Sequence, residues 1–350
     1  MSGSKEDGAN GPVFSLWRTT RFDIDLSVPK VMGIVNVTPD SFSDGGSHIT
    51  ADAALRHCER LLDEGADILD IGGESTRPGS PAVALEDELA RVLPVVREAL
   101  RLGVPVSVDT YKPEVMRAVL DLGADIVNDV WALRRPGARE VVAAHPSCGI
   151  CLMHMHRDPQ TMQSLPMAAD ADVVAVVRDF LARETATLVA LGIDAARIAI
   201  DPGIGFGKSV AQNFALLERQ RELLAPGRPL LAGWSRKSSL GTVTGIETAA
   251  RRMVPSVAAA LMAVERGASI VRVHDVRDTV AALAVWRAAT AIATSTAANA
   301  AAGVGAGATS RPLASPISPP TVAPAVAAAV VAEPAARPAP HQDPRKGSHA

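Results

Sequence analysis

The chain has 350 residues, enough for one large domain or two of ordinary size, and its 47% hydrophobic and 21% charged residues are ordinary for a soluble globular protein. A net charge of −3 gives no basic surface for nucleic acid, and no uninterrupted apolar run reaches the ~18 residues of a membrane helix. Three cysteines, Cys58, Cys148 and Cys151, are too few for a disulfide framework; with a polar N-terminus lacking a secretory pattern, they point to a reducing, cytoplasmic setting.

Residues 1–12 read as a disordered polar leader. From there the chain alternates short β-branched runs with amphipathic stretches. Strand-like segments fall at 31–36, 67–71, 104–108, 125–127, 149–153, 197–200, 230–232 and 270–273. Helical spacing falls at 51–64, 86–102, 113–122, 137–144, 172–191, 212–224, 251–266 and 275–290. Three joints repeat a pattern: Gly65-Ala66-Asp67, Gly123-Ala124-Asp125 and Gly267-Ala268-Ser269. Each glycine can take the left-handed conformation that ends a helix.

Apolar strands without alternation are buried on both faces, as in a parallel sheet wrapped by helices. Eight strand–helix units over about 260 residues predict an α/β protein, a (β/α)8 TIM barrel in a single domain over 13–295. The remaining 296–350 is Ala-rich, then Pro-rich, and reads as a disordered low-complexity tail.

A barrel of this kind carries its active site at the C-terminal ends of its strands. Those ends are polar where the strands are apolar: Asn36, the Gly72-Gly73-Glu74-Ser75-Thr76-Arg77-Pro78-Gly79 loop, Asp109, Asn128, Met153-His154-Met155, Asp201, Ser235-Arg236-Lys237 and Arg272-Val273-His274. Single residues of this type are often helix caps; Asp44, Asp275, Thr76 and Ser235 each admit that reading. So many on one rim are not explained by capping. Carboxylates and amides (Asp109, Asn128, Asp201) stand beside cations (Lys237, Arg272, His274), which suits a ligand with a donor-rich ring at one end and a polyanion at the other.

The segments Gly33-Ile34-Val35-Asn36-Val37-Thr38-Pro39-Asp40-Ser41-Phe42-Ser43-Asp44-Gly45-Gly46, Glu74-Ser75-Thr76-Arg77-Pro78-Gly79, Asp201-Pro202-Gly203-Ile204-Gly205-Phe206-Gly207-Lys208, Ser235-Arg236-Lys237-Ser238 and Arg272-Val273-His274-Asp275 resemble the signature loops of bacterial dihydropteroate synthases, pterin-binding enzymes. The resemblance runs from about Val31 to Arg287. It implies condensation of 6-hydroxymethyl-7,8-dihydropterin diphosphate with p-aminobenzoate to give 7,8-dihydropteroate and pyrophosphate.

It further implies Asp109, Asp201 and Lys237 as catalytic groups, and a pterin pocket of Asp109, Asn128, Val130, Met155, Asp201 and Lys237. The diphosphate would be held by Asn36, Thr76, Arg272 and His274, with Mg2+ bridging its oxygens at Asn36. The p-aminobenzoate pocket would comprise Ser235, Phe206, Phe42, Arg77 and Pro78, with Ser235 at the start of a helix whose N–H groups favour a carboxylate. Substituting Phe42 or Pro78 is expected to weaken sulfonamide inhibition more than pterin binding; equal losses of both would refute that assignment. The resemblance also implies a homodimer.

Trp131 and Ser239 depart from the family's usual residues and leave the assigned roles untouched. The Gly203–Lys208 segment imitates a nucleotide P-loop but has one residue too few between its outer glycines. Cys148, Cys151, His154 and His156 imitate a zinc site, yet strand alternation turns Cys151 away from both histidines. Two other readings remain open: a corrinoid-linked methyltransferase that binds methyltetrahydrofolate, and a barrel that binds pterin without turnover. The first needs no diphosphate site, and the second predicts gaps in the motif set.

Overall fold

A computed structural model describes residues 15–38, 47–75, 81–157, 162 and 167–304. Eight parallel strands form the barrel: β3 (Lys30–Asn36), β4 (Ile68–Gly72), β5 (Val106–Asp109), β6 (Ile126–Asp129), β7 (Gly149–Met153), β8 (Ile198–Asp201), β9 (Leu231–Ala232) and β10 (Ile270–Val273). Hydrogen-bonded neighbours run β8-β7-β6-β5-β4-β3-β10-β9. The ring closes between β8 and β9, where Ile200 bridges Leu230 and the Ile200 N–H donates to the Pro229 carbonyl at 2.9 Å.

Around the barrel lie α1 (Ser47–Asp63), α2 (Leu85–Ala99), α3 (Pro113–Leu122), α4 (Ala138–Ala144), α5 (Val173–Ala190), α6 (Val210–Glu218), α7 (Ser238–Thr244), α8 (Met253–Glu265) and α9 (Val276–Val304). Local chemistry sets their limits. Pro113 starts α3, where its missing N–H is harmless. The Asp172 carboxylate accepts from the Val174 and Ala175 N–H groups at the start of α5. Ser209 and Gln212 form a reciprocal capping box on α6. The three Gly-Ala joints behave as expected: Gly65, Gly123 and Gly267 have φ of 99°, 101° and 94°.

The barrel's inner face is layered. Its lowest layer is Met32, Ile68, Ile126, Cys151, Ala199, Leu231 and Ile270, all buried. Below it sits an antiparallel hairpin outside the eight expected strand–helix units, β1 (Leu16–Arg18) with β2 (Asp23–Asp25). Trp17, Ile24 and Leu26 from this segment pack into that layer and plug the N-terminal mouth. The Trp17 indole N–H donates to the Arg197 carbonyl at 2.9 Å. Arg21 ties the hairpin to buried Asp125 through Nη2 at 2.6 Å. Two larger apolar clusters fill the space between strands and helices, one on the α1–α3 side and one on the α4–α6 side.

The contacts divide the chain after Ala297. Helix α9 nevertheless continues to Val304, past the tail boundary expected at 296. The reason is local: Ala is the strongest helix former, and the first tail residues are Ala-rich without proline. The rest of the expected tail, the leader to residue 14, and the 39–46 and 76–80 loops lie outside the described residues.

Candidate active site

Side chains two residues apart on a strand share a face. One step above the apolar layer the inner face therefore reads Ile34, Asp70, Asn128, Met153, Asp201, Gly233 and Arg272. This layer is the floor of the candidate site, and Asp109 stands above Ser107 on β5. Strand register brings the ends together: Asn36 pairs with Gly72, Gly72 with Asp109 and Asp109 with Asn128.

Charges converge in that floor. Arg272 donates through Nε to Asp70 at 2.6 Å and through Nη2 to Asp109 at 2.8 Å. Asp70 also accepts from the Ser107 hydroxyl at 2.6 Å and from the Asn128 amide at 3.3 Å. Burial opposes the charge on Arg272, but the Asp70 and Asp109 carboxylates outweigh it and hold the guanidinium protonated. Burial pushes Asp109 up to about 7, against the pull of Arg272 and with help from the Asp70 charge. The other oxygen, Asp109 Oδ1, is buried without a hydrogen-bond partner among the described residues. Such an acceptor is rare unless a ligand supplies its donor.

Asp201 lies on the opposite wall. Burial raises its pKa, while the Gly203 N–H and the charges of Lys237, Arg272 and Lys208 lower it. The Gly203 N–H donates to Asp201 Oδ1 at 2.6 Å. Gly203 has φ of 67°, and a Cβ there would sit 2.0 Å from the His154 carbonyl oxygen. Lys237 extends over the Phe206 ring, its ammonium 4.1 Å from the centroid. Lys208, the false P-loop lysine, turns inward instead: its ammonium donates to the carbonyls of Gly203, His154 and Phe206 at 2.8, 3.1 and 3.3 Å. It ties the loop after β8 to the end of β7.

An apolar shelf adjoins these groups. Val130, Met153, Met155, Met162, Phe206 and Tyr111 form one buried cluster, with Trp131 packed against it. Trp131 meets Tyr111 edge-on and donates from its indole to the Arg157 carbonyl at 3.0 Å. The other departure, Ser239, accepts from the Asn213 amide at 2.9 Å. Both unusual residues therefore have local partners.

On the remaining rim, the Ser235 hydroxyl pairs with His274 Nδ1 at 2.9 Å and accepts from the His274 backbone N–H at 3.1 Å. One expectation for Ser235 is corrected. It does not start a helix: α7 begins at Ser238, three residues later, and the first-turn N–H groups belong there. Nor is Asp275 a side-chain cap. Its carboxylate pairs with Arg236 at 2.5 Å and clasps the loops after β9 and β10. Thr76, Arg77, Pro78 and Phe42, and with them Asp44, lie outside the described residues.

Sequence reasoning misses Asp70, although a charged residue inside the apolar run Ile68-Leu69-Asp70-Ile71 was a signal. It also misses Lys112, which is buried and bonded to both Glu74 and Glu88, while Tyr111 donates to Glu74 at 2.8 Å. Its partners are too distant in sequence for spacing to reveal. The cysteines behave as inert thiols: Cys58, Cys148 and Cys151 are free and buried. No group of three or more His, Cys, Asp or Glu that could hold a metal occurs among the described residues.

A parallel barrel with carboxylates on facing walls, Arg272 and Lys237 set among them and an apolar shelf alongside fits the class of pterin-binding enzymes. The family described as pterin binding enzyme matches residues 32–274, and the chain belongs to that family. Within it, the chain is similar to dihydropteroate synthases. That of Neisseria meningitidis serogroup B is 53% identical over 278 residues, covering 78% of this chain and 97% of the relative. The solved Xanthomonas albilineans dihydropteroate synthase with 4-aminobenzoic acid is 50% identical, with a TM-score of 0.74 over 81% of this chain and 99% of that one. The Burkholderia cenocepacia enzyme complexed with 7,8-dihydropteroate is also 50% identical, with a TM-score of 0.74 over 80% of this chain and 98% of that one.

Proposed function

We propose that this barrel catalyses the dihydropteroate synthase reaction. The exocyclic methylene carbon of the dihydropterin loses its bond to the diphosphate oxygen, and the electron pair leaves with pyrophosphate. The amine nitrogen of p-aminobenzoate forms the new C–N bond and gives up one proton. The observation that carries this reading is the Asp70–Arg272–Asp109 cluster with its unpartnered Asp109 oxygen, in a chain about half identical to dihydropteroate synthases.

Each residue's part follows from its chemistry. Asp201, with Asn128, suits the amino and N–H edge of the pterin, because a carboxylate accepts two such donors side by side. Lys237 donates to the ring's oxygen and nitrogen side. Val130 and Met155 offer the ring an apolar face, and Phe206 faces the aminobenzoate. Ionised Asp109 stands where positive charge develops on the methylene carbon. Arg272 spends its Nε and Nη2 edge on Asp70 and Asp109 and keeps Nη1 for a phosphate oxygen. His274 supports the diphosphate from the next position, its ring oriented by Ser235. Thr76 on the diphosphate, and Ser235, Arg77, Pro78 and Phe42 at the aminobenzoate, complete the assignment.

Mg2+ fits as an ion carried on the diphosphate. Asn36 ends β3 with its side-chain amide unbonded among the described residues, and Mg2+ takes few protein ligands beside water and phosphate. When bound there, it would neutralise charge on the leaving group. A cytoplasmic location is supported by the free buried thiols; no described helix is long and apolar enough to cross a membrane. A homodimer stays part of this reading on the family resemblance alone.

The test is pyrophosphate release by the purified protein with dihydropterin diphosphate and Mg2+, with and without p-aminobenzoate. Release that requires p-aminobenzoate and is suppressed by a sulfonamide is the expected result. Pterin binding without release would favour the non-catalytic barrel, and no pterin binding would overturn the assignment.

A further inference from the structure

Asp70 is assigned no contact with either substrate above, yet it occupies the centre of the floor. It is fully buried, midway along β4. Its two oxygens receive three side chains from three strands. Oδ1 accepts from the Ser107 hydroxyl of β5 at 2.6 Å; Oδ2 accepts from Arg272 Nε of β10 at 2.6 Å. The Asn128 amide of β6 lies at 3.3 Å from both. Two of these three donors are residues assigned to opposite ends of the first substrate, Asn128 to the pterin and Arg272 to the diphosphate.

We propose that Asp70 is a positioning residue that holds Arg272 and Asn128 in one fixed relation, so that the diphosphate-binding cation and the pterin-reading amide are set before substrate arrives. This rests on the functional reading above. Arg272 alone has long, rotamer-rich freedom. With Nε bound to Asp70 and Nη2 to Asp109, its plane is fixed and its remaining Nη1 edge faces one way. Asn128 has a similar ambiguity, because its amide can flip end for end. The Asp70 carboxylate accepts only, so it selects the orientation in which Nδ2 points down to Asp70 and the carbonyl oxygen points toward the ligand. Ser107 completes the acceptor's shell without a charge of its own.

Asp70→Asn isolates the effect. The carboxamide keeps the volume but removes the charge that holds Arg272 and turns one acceptor into a donor, which opposes Asn128 Nδ2 or Arg272 Nε, while the Ser107 hydroxyl can turn to accept it. The expected result is a KM for dihydropterin diphosphate raised roughly 10- to 100-fold, with the KM for p-aminobenzoate unchanged. Inorganic pyrophosphate, titrated by calorimetry, should weaken in parallel. A purely structural role would lower Tm without this split between substrates. Ser107→Ala, which removes only the supporting hydroxyl, should shift the same KM in the same direction by a smaller factor and serves if Asp70→Asn folds poorly. Because Asp70 acts through Arg272, the double variant Asp70→Asn/Arg272→Met should bind pyrophosphate no more weakly than Arg272→Met alone. Additive losses, or single variants with wild-type KM for the pterin substrate, would overturn the proposal while the turnover of the wild-type protein still stood. A wild-type protein that neither turns over nor binds pyrophosphate would remove the functional reading itself, and Asp70's role with it.

Discussion

At the scale of single residues, the site depends on keeping charges in a place that disfavours them. Asp109 shows the consequence. Its ordinary carboxylate value is 3.8, and burial moves it to about 7, with Asp70, Asp129 and Glu88 adding in the same direction and Arg272 opposing. Below that pH Asp109 is neutral and cannot face a developing cation; above it the carboxylate is present. We therefore expect kcat/KM to rise with one-proton dependence as pH increases through about 7. Asp109→Asn should abolish that limb and lower kcat by about 10²-fold or more. A pH–rate profile of both proteins checks this, and an unchanged limb in the variant would assign it to another group. The same shift has a stability sign. The unfolded chain releases this proton near 3.8 and the folded chain near 7, so this group's contribution to stability falls as pH rises between them. The rim residues were legible because each ends an apolar run. Asp70 showed only as a charge inside an apolar run and Lys112 not at all, because their value lies in partners, Arg272 and Glu88, that only the fold brings near.

At the scale of elements, loops are pinned to one another rather than left to their own turns. Lys208 joins the loop after β8 to the end of β7 through three carbonyls, and Arg236 with Asp275 joins the loops after β9 and β10. Gly203 is where this arrangement tolerates least change. A Cβ would overlap the His154 carbonyl oxygen at 2.0 Å, and the backbone is left-handed with φ of 67°. Gly203→Ala should therefore cost at least ~1–2 kcal/mol from backbone conformation alone, and the displaced loop should also misplace Asp201. We expect a lower Tm together with weakened binding of a free pterin, measured by thermal melting and calorimetry. A variant with reduced Tm and intact pterin affinity would show that Asp201 is set by β8 and not by this loop. The alternation of strands and helices was readable in the sequence because buried parallel strands are continuously apolar. Helix α7 was not, because its seven residues are mostly Ser, Thr and Gly and lack an apolar stripe. The hairpin was missed for a similar reason: β1 and β2 are three residues each and bury one side chain apiece, too little for periodicity to register.

At the scale of the whole molecule, the barrel separates what holds it together from what it does. Its lower inner layer is apolar and closed by the hairpin, while the layer above carries Asp70, Asn128, Asp201 and Arg272. The two layers lie one step apart along the same strands, so their independence is a physical question and not a given. Trp17 tests it. The side chain is fully buried in the plug, and its indole N–H is satisfied by the Arg197 carbonyl. Trp17→Ala removes a large apolar volume and orphans that buried acceptor, a loss of roughly 3–5 kcal/mol. For a chain of this size the expected fall in Tm is on the order of 10 °C. Native cores relax only partly around a cavity, and Met32, Ile68, Ile126 and Ile270 stand between the plug and the charged floor. The KM values for both substrates should accordingly stay within about twofold of wild type below the new Tm, since residues without shared partners contribute independently. A Tm loss accompanied by a rise in the KM for dihydropterin diphosphate would mean instead that the plug sets the height of the strands, and through them the alignment of Asp70 with Arg272.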